Sequence, residues 1–396
     1  MDNQNTLHAS EAEILSKLIN KYNITFNVVY SNDFQDDLQE NIIVVDNGRV
    51  VSLILQFFDY STLPLEISSF KHLSTIIIRN TPIMAIPDEL FLLPVVHFEI
   101  DFGNLTGSIS PLIKNWINLK ILNLHGNQIS SLPLELFACT ELEFLTLWGN
   151  VITEIPEQIS QLKKLKYLHV GMNSLNKIPE SIGSLPDLKI FFCSKNYLKT
   201  LPEHLSNLQS LEELYIEENQ ITLLPFNIGS LEHLRILHAF RNKLTSLPAS
   251  ISNLSQLEIL YIHQNMFHVF PDQLLLIESL MDLDISYCGL NSIPESIDSL
   301  KNLKRLWIDN NSLHKLPDSI CKLVYLEGLN ISDNPLKSLP NCILNLKNLK
   351  ILSMFYTIKE YTQLLDQLKA NGVEIEQNCD DNEDDIDFEN DEFEDL

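Results

Sequence analysis

Histidines among apolar residues are the side chains in this sequence whose types and spacing suggest chemistry first. Five of the eleven histidines, His97, His125, His169, His238 and His263, fall in similar local phrases. His238 and His263 lie in consecutive phrases, LRILHAFRN and LEILYIHQN. Two imidazoles brought side by side are half of a metal centre, which needs three or four such donors. No third His or Cys accompanies them, so no metal site is expected. The phosphate-cradling patterns GxxxxGK[ST] and GxGxxG are absent, as are HExxH and GxSxG. No catalytic group and no cofactor are expected, and the chain reads as a non-enzyme.

The six cysteines, Cys139, Cys193, Cys288, Cys321, Cys342 and Cys379, form no CxxC or CxC pair. That spacing implies reduced thiols, no disulfide and no zinc, hence an intracellular, cytoplasmic protein. No apolar run is long enough to span a membrane, and the N-terminus lacks the basic start and apolar stretch of a secretory signal. The formal net charge is −26, and thirteen Asp or Glu lie from Glu374 onward with no Lys or Arg. Such a balance repels nucleic acid and anionic membrane and favours basic or uncharged protein surfaces.

The phrases that carry the histidines recur along the chain. Leu119, Leu142, Leu165, Leu188, Leu211, Leu234, Leu257, Leu280, Leu303, Leu326 and Leu349 are spaced 23 residues apart. Each opens L-x-x-L-x-L-x-x-N-x-L-x-x-L-P-x-x-I-x-x-L. The asparagine slot holds Asn127, Asn150, Asn173, Asn196, Asn219, Asn242 and Asn265, then Cys288, Asn311 and Asn334. Weaker units open at Val50, Leu73 and Val95, giving thirteen full units and a truncated fourteenth over residues 50–357. The pattern resembles the leucine-rich-repeat family, in the LPxxIxxLxxL type of intracellular Ras-binding scaffolds and bacterial repeat proteins. Asn104-Leu105-Thr106-Gly107-Ser108-Ile109 is similar instead to the plant receptor subtype. The resemblance implies an α/β horseshoe solenoid with a parallel concave sheet, and a signalling scaffold whose partner is a small GTPase or a phosphatase complex.

The residue pattern agrees with that fold. In L-x-x-L-x-L the fourth and sixth positions share one face of a short strand, and stacked coils bury that face. The Asn follows the strand, where its side chain can bond turn backbone. Pro followed by an acid, as at Pro156-Glu157, opens a short helix or 3₁₀ turn whose positive end favours the carboxylate. Residues 1–49 are expected to cap the array with a helix over Glu11–Asn20 and strands over Ile24–Val29 and Ile42–Val45. Residues 358–377 supply a second cap, a helix through Ile358, Tyr361, Leu364, Leu365 and Leu368 and an edge strand at Val373–Ile375. Residues 378–396 form a disordered acidic tail by composition.

Repeat positions three, five and seven point away from the coil interior. A bland array would fill them with small polar residues. Here they hold Phe144, Trp148, Tyr167, His169, Phe192, Tyr215, Glu217, His238, Phe240, Tyr261, His263, Asp284, Trp307 and Asp309. Aromatics suit strands by propensity alone, yet a run of large rings inside a polar rim has the composition of a protein-binding surface. The expectation is a monomeric scaffold that binds a protein through this face. The histidines there are expected to titrate near neutral pH. The alternative puts function in the acidic tail, as in nuclear acidic phosphoproteins that capture histones and other basic proteins.

Overall fold

The computed structural model describes residues 7–30, 40–57, 60–354 and 362–376. They fall into two compact units, Met1–Met266 and Phe267–Leu396.

The first unit opens with a helix, Ala9–Tyr22, that buries Leu15 and Leu18 and ends at Asn23 in the left-handed region, φ 52°. Glu11 is buried with it; its carboxylate lies 3.6 Å from the Arg49 guanidinium and accepts from the Val50 N–H at 3.4 Å. That ion pair ties the helix to the first strands. Asn27–Tyr30 pairs parallel with Ile42–Asp46, starting three residues later than the sequence pattern suggests. Asn47 and Gly48 then turn the chain with φ of 46° and 74°, the geometry of a two-residue hairpin. The next strand, Arg49–Gln56, is antiparallel to Ile42–Asp46. From there every main-sheet pairing in the unit is parallel, through Thr75–Arg79, His97–Asp101, Ile121–Asn123, Phe144–Thr146, Tyr167–His169, Ile190–Phe192, Glu213–Tyr215, Ile236–His238 and Ile259–Tyr261.

These strands are short because each coil buries only alternate residues. Leu145 and Leu147, or Leu168 and Val170, are sealed in the coil interior, while the side chains between them turn outward. The asparagine slot then closes the turn. Asn150 donates through Nδ2 to Leu124 O at 2.9 Å and Leu147 O at 3.0 Å, and its Oδ1 accepts from Ile129 N at 2.9 Å. Asn173, Asn196, Asn219, Asn242 and Asn265 repeat the arrangement. Each asparagine therefore satisfies backbone groups of the coil before its own.

The return half of each coil is a 3₁₀ turn, as at Glu157–Gln161, with one buried isoleucine, Ile159. The acid after proline does more than favour its own turn. Glu157 accepts from Ser181 N of the following coil at 3.1 Å, Glu180 from His204 N at 3.3 Å, and Glu203 from Phe226 N at 3.0 Å. An N-terminal orphan N–H of one turn is thus satisfied by the turn before it. The plant-receptor-like stretch forms an extra strand, Thr106–Ser108, which pairs parallel with Gln128–Ser131 in a separate small sheet.

The second unit repeats the same coil through Asp282–Asp284, Arg305–Trp307, Gly328–Asn330 and Ile351–Ser353, all parallel. A helix, Thr362–Ala370, buries Leu365 and Leu368. Gly372, at φ 87°, turns the chain into a last strand, Glu374–Glu376, parallel to Ile351–Ser353. Ile358, Tyr361 and the acidic tail 378–396 lie outside the described residues.

The expectation that every cysteine stays reduced fails at one pair. Cys321 and Cys342 form a disulfide with a Cα–Cα distance of 5.7 Å and a sequence separation of 21. They sit in the neighbouring 3₁₀ turns Asp318–Lys322 and Asn341–Asn345. Stacking of coils brings them together, so no short cysteine motif announces the pair. Cys139, Cys193 and Cys288 are buried and outside that disulfide. Cys288, in an asparagine slot, donates its N–H to Asn311 Oδ1 at 3.1 Å.

Candidate functional site: a ring ladder and an acidic cluster

Parallel register sets the outward side chains of the first unit in rows. Thr146, His169, Phe192, Tyr215, His238 and Tyr261 are successive cross-strand partners. Phe144 and Tyr167 pair in the row beside them. Their rings meet: Phe192 stacks on His169 at 4.5 Å and on Tyr215 at 4.0 Å, Tyr215 meets His238 edge-on at 4.8 Å, and His238 stacks on Tyr261 at 4.6 Å. In the third row Phe240 stacks on His263 at 4.4 Å, and Trp148 meets His169 edge-on at 6.4 Å.

This mutual stacking uses up much of the outward surface. Tyr167, His169, Tyr215 and His238 keep only 6–9% of their area exposed. Phe144, Trp148, Phe192, Phe240, Tyr261 and His263 are partly exposed. The face therefore presents ring edges and partial faces over a packed aromatic layer.

Burial also changes the charges. It lowers the imidazoles of His169 and His238 to about 3, and His125 moves below its usual range for the same reason. The expected titration of these histidines near neutral pH is thus corrected: both ladder imidazoles are neutral there. The Gly171 N–H donates to His169 Nδ1 at 3.1 Å, which leaves the ring proton on Nε2. Glu217 goes the other way, raised to about 8 by burial. At the start of the sheet, burial and the adjacent Glu99 push the Asp101 carboxyl up to about 7. Glu99 itself is held by Arg79 at 3.0 Å.

Asp284, Trp307 and Asp309 belong to the second unit and form a different arrangement. The Ser286 hydroxyl lies 2.6 Å from Asp284 Oδ1 and 2.7 Å from Asp309 Oδ1. A single hydroxyl proton serves one carboxylate at a time, and burial raises the Asp309 carboxyl above its usual range. Arg305 Nε donates to the buried Asp282 at 2.5 Å. Trp307 packs beside Gly328, where an added Cβ would lie 3.5 Å from the indole. No group of three His, Cys, Asp or Glu among the described residues is arranged to hold a metal ion.

One ring of the ladder is not visible from the repeat pattern. Phe102 is 54% exposed, meets His125 edge-on at 4.8 Å and Trp148 at 6.5 Å. It occupies the left-handed slot after the strand, φ 44°, where later coils place Gly126, Gly149 and Met172. A bulky residue there is strained, and that mismatch is the signal that would have found it.

The comparisons agree with this architecture. The family described as "Leucine-rich repeat region" matches residues 92–217 and 203–309, and "Leucine Rich Repeat" matches 302–323. A search of the curated proteins finds no match. Among solved structures, a leucine-rich-repeat protein of Leptospira interrogans is similar at 27% identity and TM-score 0.75, covering 82% of this chain and 89% of that one. An internalin of Listeria monocytogenes shares the fold at 22% identity and TM-score 0.67, covering 79% and 91%. The ectodomain of the Arabidopsis thaliana receptor kinase GASSHO1/SCHENGEN3 does so at 24% and 0.65, covering 80% of this chain and 44% of the receptor. Proteins of this kind generally serve as protein-interaction scaffolds rather than enzymes. Repeated asparagine ladder, parallel strands, matched profile and matched fold coincide, and the chain belongs to the leucine-rich-repeat family.

Proposed function

We propose that the protein is a non-enzymatic scaffold that holds a protein partner on the outward sheet face of its first unit. The observation that carries this reading is the row from His169 to Tyr261. Large rings occupy positions that the coil interior does not require, and Phe192 and Tyr261 keep part of their surface open. Rigid aromatics with satisfied neighbours are good binding anchors, because little side-chain entropy is lost on contact. A partner of basic character suits the net charge of −26. A small GTPase or phosphatase complex is the narrower proposal, supported by resemblance of the repeat type alone. A cytoplasmic location belongs to the same proposal. The Cys321–Cys342 bond weighs against it, since reducing compartments keep such pairs open. Trapping thiols before extraction and measuring the bond by mass spectrometry decides the location.

The partner-binding reading is tested with a photo-crosslinking amino acid placed at Tyr261 and, on the opposite side of the coil, at the exposed Leu134. Capture of one defined protein from Tyr261 and not from Leu134 supports it. Equal capture from both positions, or none from Tyr261, overturns it.

A further inference from the structure

One carboxylate on the first unit's outward face has no part in the ring ladder. Glu217 Oε2 is buried and has no hydrogen-bond partner among the described residues. A buried polar atom left unsatisfied is unfavourable, and a donor brought to it is correspondingly well held. The Trp148 Nε1 donor on the same face is likewise buried without an acceptor.

The backbone places both groups in one row. The N–H groups of Gly149, Met172, Lys195, Glu218 and Arg241 donate to the carbonyls of Gly171, Ser194, Glu217, Phe240 and His263 in turn. Trp148, Gly171, Ser194, Glu217, Phe240 and His263 therefore stand side by side, about 4.8 Å per step. Between the rings of Trp148 and Phe240 the row carries only a glycine, a serine and Glu217. The His169 ring lies against Gly171, where an added Cβ would come within 2.8 Å of Cε1. One face of Phe240 is covered by His263, with the rings 10° from parallel; its other face turns toward the coil of Glu217. A neutral imidazole, a hydroxyl and an uncompleted carboxylate thus sit between two large rings.

Building on the partner-binding reading, we infer that this stretch seats a basic side chain of the partner, an arginine, with its N–H groups on Glu217 Oε2 and its plane against the Phe240 ring. A guanidinium supplies planar donors and stacks on aromatic faces, which a compact ammonium does less well. The net charge of −26 favours the arrival of a cation. Burial raises Glu217 to about 8, against hydrogen bonds from its own backbone and from Ser194 that lower it. An arriving guanidinium displaces the carboxyl proton to solvent, so the seat gains a full ion pair on binding.

The test uses the full chain with ring-¹³C-labelled phenylalanine, titrated with N-acetyl-arginine amide and, as the uncharged isostere, N-acetyl-citrulline amide. The readout is the Phe240 ring signal, assigned with Phe240→Leu. The expected result is a saturable shift with the arginine probe only, weakened about tenfold in Glu217→Gln and unchanged in Glu218→Gln. An equal response to citrulline, no response to arginine, or equal weakening in Glu218→Gln overturns the inference. The citrulline comparison uses the unmodified protein and stands whether or not a variant folds. Crosslinking from Tyr261 without an arginine response removes this inference alone, whereas loss of that crosslinking removes the partner-binding reading too.

Discussion

Replacing Tyr215 by alanine removes a ring stacked at 4.0 Å on Phe192 and 4.8 Å from His238. Because Tyr215 is 9% exposed, the change should cost about 3 kcal/mol, within the range for aromatic truncation in a core. The more exposed Trp148 should cost about 1 kcal/mol as Trp148→Ala, the worth of its edge-on contacts. Denaturant titration of both variants checks the ranking, and equal losses would show that the ladder is not a packed layer. The histidines carry a pH signature. His169 and His238 sit near 3 when folded and near 6.5 when unfolded. The unfolded chain takes up protons first, so their effect is to lower stability as pH falls from about 6.5 toward 3. Glu217 has the opposite sign: raised to about 8, it lowers stability as pH rises from the usual carboxyl range to that value. Glu217→Gln should therefore stabilise the protein at pH 8, on the order of 1 kcal/mol, and change little at pH 4. Melting curves at the two pH values check this; a pH-independent effect would contradict it.

Elements here are held by side chains that repair backbone. Asn196→Ala would leave Val170 O, Cys193 O and Leu175 N without their partner, a loss of about 3 kcal/mol or more. Hydrogen exchange should show it as faster opening confined to the coils of Cys193 and Leu175. This layer was legible in the sequence, because a strand-then-asparagine phrase repeated at one spacing admits one coil geometry. The 3₁₀ turns were legible as short helical turns, but the forward bond from Glu157 to Ser181 was not. It depends on how far one turn overhangs the next, which the repeat does not state. The outward direction of Tyr215 and His238 could be read from alternation, whereas their burial could not. Burial arises from ring-on-ring contact across strands, and alternation says only which way a side chain leaves the backbone.

At the scale of the whole molecule the two units differ in how they resist unfolding. The Cys321–Cys342 bond closes a loop within the second unit, and opening it should cost that unit about 3 kcal/mol. Differential hydrogen exchange with and without reductant should lose protection after Phe267 and leave the first unit unchanged; a uniform loss would refute that localisation. This bond escaped sequence reading because the repeat, not the cysteine spacing, makes the two turns neighbours.

Each of the coils opening at Leu142, Leu165 and Leu188 finishes the one before it through an asparagine and the one after it through a glutamate. Copying a 23-residue stretch therefore imports both halves of the joint, so such a gene can lengthen by duplication without redesigning its seams. Cutting one out joins two ends already made to fit. Deleting a number of residues that is not a whole multiple of that length would leave a carbonyl and an amide facing nothing, and that asymmetry gives evolution a quantised step.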